Sequence, residues 1–116
     1  MSQGSYSQLE VWKRAMSLVT EIYKITGTFP SEERYTLTSQ MRRAAVSIPS
    51  NIAEGRMRIS RKEFKRFVSM AFGSGAELET QMQIARNLSY LDQTRDDADN
   101  LLEEVMRMLN ALLQKL

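Results

Sequence analysis

The side chains able to do chemistry in this 116-residue chain are carboxylates and cations, because it contains no histidine and no cysteine. The commonest general base and the imidazole and thiolate metal ligands are therefore missing. Without a thiol there is no disulfide. Glu54 with Glu77 or Glu79 could pair as carboxylates, or hold a metal as bundle carboxylates do. That arrangement uses Glu-x-x-His pairs, which cannot be built here. No P-loop and no glycine-rich phosphate fingerprint is present. The residues argue against an enzyme and call for neither cofactor nor metal. Asn87-Leu88-Ser89 matches a glycosylation sequon, a chance match in a chain with no secretory pattern.

The cations are distributed unevenly. A formal net charge of +2 conceals a middle third, residues 34–66, with nine basic residues against two acidic ones. Residues 67–116 reverse the balance, with four basic against eight acidic. Within the middle third, Arg56, Arg58, Arg61, Lys62, Lys65 and Arg66 crowd one short stretch that holds a single acid, Glu63. Clustered Lys and Arg neutralise phosphates and release counterions, which supplies affinity for nucleic acid without sequence preference. No aromatic is interleaved in the cluster, since Phe64 and Phe67 fall on the apolar side. Backbone binding is therefore expected rather than base stacking.

Four amphipathic segments must position these groups. Leu9, Trp12, Met16, Val19 and Tyr23 recur at helical steps, predicting a first helix over about residues 7–26 with that stripe inward. Gly27 and Phe29-Pro30 stop it. Ser31 reads as an N-cap with Glu32 and Glu33 in the first turn of a second helix reaching Arg56. Its stripe is Leu37, Met41, Ala44, Ala45, Ile48 and Ile52; Pro49 should kink it and Gly55 close it. Ser60-Arg61-Lys62-Glu63 has capping-box spacing, so a third helix runs from Arg61 to about Tyr90, with Phe64, Val68, Ala71, Gly75, Leu78, Met82 and Ala85 as its apolar stripe. Thr94-Arg95-Asp96-Asp97 opens a fourth that continues to the end, with a broad stripe of Ala98, Leu101, Leu102, Val105, Met108, Leu109, Leu112 and Leu113. No segment alternates as a strand does. Residues 1–116 form one domain, an all-α, antiparallel, up-down four-helix bundle. With no signal-peptide pattern and no apolar run of ~18 residues, the expected location is the cytoplasm and no membrane contact is expected.

The third helix is short of charge. Between Phe67 and Ala85 only Glu77 and Glu79 are charged. Opposite its apolar stripe lie Ser69, Gly73, Ala76 and Thr80, all small. Gly73 and Gly75 each cost ~1 kcal/mol relative to Ala inside a helix, which implies a packing reason. A subunit interface on that face is the expectation. In the second helix, Arg43, Ser47, Ser50 and Glu54 share the face opposite the core, and Asn51 at its flank is placed to hydrogen-bond to another helix. Arg43 could join a glutamate of the third helix.

The run Gln40-Met41-Arg42-Arg43-Ala44-Ala45-Val46-Ser47-Ile48-Pro49-Ser50-Asn51-Ile52-Ala53-Glu54-Gly55 resembles the signature of the four helix bundle protein family, also called the 23S rRNA-intervening-sequence or S23 family. Ala71-Phe72-Gly73-Ser74-Gly75-Ala76-Glu77-Leu78-Glu79 resembles its third-helix motif. Leu9-Glu10-Val11-Trp12-Lys13-Arg14-Ala15 resembles its opening pattern. The resemblance implies a homopentameric ring and a bacterial protein, encoded within a 23S rRNA gene insertion or elsewhere in the genome. It gives Arg43, Asn51, Glu54, Gly55, Ser74 and Glu77 a structural part. It also implies similarity to the accessory variability protein of diversity-generating retroelements, a basic pentamer that binds nucleic acid and a reverse transcriptase.

Together these readings predict a non-enzymatic, oligomeric nucleic-acid-binding protein, with RNA the favoured ligand. The alternative is a protein-interaction scaffold that meets a basic partner through Asp96, Asp97, Asp99, Glu103 and Glu104, or, as the resemblance implies, a reverse-transcriptase accessory protein of a diversity-generating retroelement.

Overall fold

The computed structural model describes residues 6–116. A 3-10 turn, Tyr6–Gln8, leads into α1 (Glu10–Thr26). A second 3-10 turn, Ser31–Glu33, precedes α2 (Leu37–Arg56), followed by α3 (Arg61–Asn87) and α4 (Asp97–Lys115). Among the described residues there is no strand. α1 packs on α2 and α4, and α3 packs on α2 and α4, while α1 and α3 stand diagonally across the bundle with no Cα atoms within 8 Å of each other. The result is a rod of 46 × 25 × 19 Å whose core runs along its length.

The apolar stripes expected for α2 and α3 are buried. α4 buries Ala98, Leu102, Val105 and Leu109, with its other leucines half-buried at the margin. The stripe expected for α1 is corrected. Its buried face is Val11, Ala15, Leu18, Ile22 and Thr26. Leu9, Trp12 and Val19 lie at the edge of the core, and Met16 and Tyr23 are largely exposed. The two series both run at helical spacing, and only the positions of α2 and α4 choose between them.

The helix ends differ from expectation in instructive ways. Ser31 does not cap α2; it begins the 3-10 turn, and the N-cap position is Thr36. The start of α2 is held instead by Glu33, whose carboxylate accepts from Thr36 Oγ1 (2.6 Å), the Leu37 amide (3.4 Å) and Tyr90 Oη (2.8 Å). α2 is helical without interruption through Pro49. α3 ends at Asn87 rather than near Tyr90, because Ser89 takes the left-handed conformation at φ 65° and the Tyr90 amide turns back to the Ala85 carbonyl. Ser60 caps α3 by accepting from the Glu63 amide at 3.0 Å. Glu63 itself pairs with Arg66. The reciprocal capping box forms at α4, between Asp96 and Asp99.

Gly55 is also corrected. It lies inside α2, buried, where an added Cβ would stand 2.6 Å from Phe67 Cβ of α3. The glycine permits the close approach of the two helices. Gly75 does the same against α4, where a Cβ would meet Met106 Sδ.

Gly55→Ala should destabilise the protein by about 1–3 kcal/mol, since Phe67 Cβ is anchored to its backbone and cannot swing aside; a lower urea midpoint would register it. The Thr36 and Tyr90 hydroxyls, in that order, hold the Glu33 carboxyl below its usual pKa of 4.5. Its contribution to stability is therefore full above that value and is lost as pH falls through the lowered one. The melting temperature of Glu33→Gln should accordingly fall less than that of wild type between about pH 5 and pH 3.

Candidate nucleic-acid interface

The six clustered cations meet at one end of the rod, around the α2–α3 turn. Two aromatic rings organise them. The guanidinium carbons of Arg58 and Arg66 stand 5.0 and 4.6 Å from the centroid of Phe67, which is itself buried. Arg56 stands 5.8 Å from the ring of Phe64. Cations within ~6 Å of an aromatic face are attracted by its quadrupole. The turn's aromatics thus fix the arginines from beneath, a relation that spacing along the chain had concealed.

Carboxylates temper part of the charge. Arg58 donates to Glu54 at 2.6 Å and Arg66 to Glu63 at 3.0 Å. Glu63 is held below its ordinary pKa, chiefly by that hydrogen bond from Arg66. Arg61 donates to the Lys115 carbonyl at 2.6 Å, tying the start of α3 to the end of α4. Lys62 and Lys65 are exposed on the first turns of α3, and no carboxylate of a described residue lies within 4 Å of either ammonium. A concave surface runs beside the turn, floored by Phe64, Leu112 and Leu116 and bordered by Arg58 and Arg61. Met57 and Ile59 stand above it, 65% and fully exposed.

The residues given a structural part divide. Ser47 and Ser74 share a hydrogen bond of 2.8 Å, which links α2 to α3. Asn51 donates to the Ser47 carbonyl and hydroxyl, both at 2.9 Å. It therefore supports the link from its own helix instead of crossing to another. Glu54 does not tie α2 to a neighbouring helix, because its partner Arg58 lies one turn further along. Arg43 and Glu77 border one groove between α2 and α3 but form no ion pair within 4 Å. Among the described residues no group of three or more carboxylates is placed to hold a metal.

Ser69, Gly73, Ala76 and Thr80 lie together on the exposed face of α3, and a Cβ at Gly73 would meet nothing within 4 Å. On α1 and α2 the structure reveals a second unexpected surface. Trp12, Met16 and Val19 line an apolar groove with Val46 and Pro49. The periodicity of α1 had carried this signal, but it had been assigned to the core. Three of the acidic residues of α4 are engaged within the chain. Asp99 pairs with Arg86, Glu103 with Arg95 at 3.4 Å and Glu104 with Arg14 at 3.7 Å.

No helix among the described residues is long and apolar enough to cross a membrane. The model of the family described as 23S rRNA-intervening sequence protein matches residues 7–111. The fold is similar to the crystal structure of a protein of unknown function from the S23 ribosomal protein family of Bacteroides thetaiotaomicron. The TM-score is 0.80 at 20% identity, covering 90% of this chain and 95% of that one. Comparison with curated proteins gives no match.

Proposed function

The chain belongs to the 23S rRNA-intervening sequence protein family, and from that premise we propose that it is a non-enzymatic, oligomeric nucleic-acid-binding protein with RNA as its ligand. The observation that carries this reading is the array of cations at the α2–α3 turn. Lys62 and Lys65 project from a capped helix start, beside arginines seated on Phe67. Phosphates can reach these ammonium groups without displacing an internal carboxylate. The chemistry offered is charge and hydrogen-bond donation, which suits a phosphate backbone.

The proposed assembly is a ring of five copies, the number implied by the family resemblance. An apolar groove on α1 and α2 and a flat, small-residue face on α3 support it. α1 and α3 stand diagonally across the bundle. The two surfaces therefore belong to different sides, as a head-to-tail contact requires, and head-to-tail contacts form a ring when the rotation between copies closes. Five copies of a modest basic patch raise avidity ~10²–10⁴-fold over one. The scaffold alternative is not favoured, because Asp99, Glu103 and Glu104 already have cationic partners in the chain.

Gly73→Glu should leave the bundle folded, with a helical spectrum like wild type, yet reduce the mass seen by light scattering to the 13.4 kDa of a monomer. A variant that remains assembled would remove this face from the interface. Charge reversal of Lys62 and Lys65 together should weaken binding to all sequences alike. It should also flatten the slope of log affinity against log salt by about two units for duplex DNA. Anisotropy titrations at ~50 mM salt test this, and a wild type that binds nothing there would refute the proposed function.

A further inference from the structure

The basic end of the rod contains more than charge. Its groove, about 710 Å³, is as large as a typical small-molecule cleft of ~300–1,000 Å³. The floor is apolar, made by Phe64 of α3 and by Leu112 and Leu116 at the end of α4. Met57 and Ile59 project from the turn beside it, exposed to an extent that a phosphate-binding loop does not need. Arg58 and Arg61 edge the groove, with Lys62 on the next position of α3. An apolar trough edged by cations calls for a ligand that is flat and apolar in one part and anionic in the next.

We propose that this groove accepts an unpaired base of a single-stranded nucleic acid, with its flanking phosphates on Arg58, Arg61 and Lys62. The inference rests on the nucleic-acid reading above and sharpens it from charge to strand type. In a duplex the base faces are stacked and paired, so the trough would have nothing to bury, and only phosphates would reach the cations. In a single strand the base faces are open, and contact between bases and apolar or aromatic side chains adds affinity whatever the base. The two modes predict opposite orders. A patch working by counterion release alone favours the duplex, with its higher charge density. A trough that buries a base favours the single strand.

The test uses the full chain and a fluorescently labelled oligouridine of ~20 nucleotides, alone and paired with oligoadenosine, at ~50 and ~150 mM salt. The single strand should bind about fivefold or more tighter than the duplex. The double variant Met57→Gln/Ile59→Gln changes two exposed side chains, and circular dichroism checks that it folds. It should erase the preference while leaving the salt slope of single-strand binding unchanged. Equal or tighter duplex binding, or a double variant that keeps the preference, would overturn the proposal while leaving charge-driven binding in place. No binding to either nucleic acid would remove both readings. Should wild type instead bind vesicles of anionic phospholipid and not the oligonucleotides, with the double variant released, the groove would belong to a lipid surface and the proposal would fail.

Discussion

At Gly55 the backbone of α2 lies so close to α3 that a single methyl group would collide with Phe67. That close approach is the constraint on which the basic end of the molecule depends. It seats Phe67 in a buried position, and Phe67 in turn provides the ring beside which Arg58 and Arg66 are placed. Further along the same contact, Ala44, Ala45 and Ala71 bury small side chains, and Ser47 meets Ser74 through a hydrogen bond. Small residues allow proximity, and the serine pair fixes how the helices sit along one another. A hydroxyl pair in a half-buried seam is directional in a way that alanine contacts are not.

The electrostatic character of the turn follows from this packing. Six cations in eleven residues would repel one another if left to solvent alone. Two devices reduce the cost. Aromatic rings lie under three of the arginines, and Glu54 and Glu63 each pair with one arginine three or four positions further along the chain. Exposed pairs of this kind contribute little to stability. Their effect is to orient the guanidinium groups, while Lys62 and Lys65 stand exposed with no carboxylate of a described residue within 4 Å.

The long sides of the rod carry a different chemistry. α1 is apolar on two adjacent faces, one buried in the bundle and one bordering a groove with α2. α3 exposes a stripe poor in charge and in large side chains. A lone bundle gains nothing from either feature, since water penalises the first and glycine weakens the helix at the second. The proposed assembly would cover both, and the bundle presents the two surfaces on helices that stand diagonally across it.

Much of this was legible from residue order alone. The number of helices, their approximate limits, the inward faces of α2, α3 and α4 and the basic turn all follow from periodicity, caps and charge, which act between residues a few positions apart. The family follows from the runs around Ser47 to Gly55 and Ala71 to Glu79. The inward face of α1 was not legible, because Leu9, Trp12, Met16, Val19 and Tyr23 repeat as regularly as Val11, Ala15, Leu18, Ile22 and Thr26. Periodicity gives a helix its stripes but not its rotation about its own axis when two stripes qualify. Gly55 read as a stop because a glycine needed for φ freedom and one needed for proximity look alike in a string of letters. Phe64 and Phe67 read only as core because the approach of Arg56 and Arg58 to their rings depends on how the turn between α2 and α3 folds back. Glu33 capping α2 with help from Tyr90 joins groups 57 positions apart. In each case the deciding contact lies between different elements of the chain, and only their packing brings its two sides within reach.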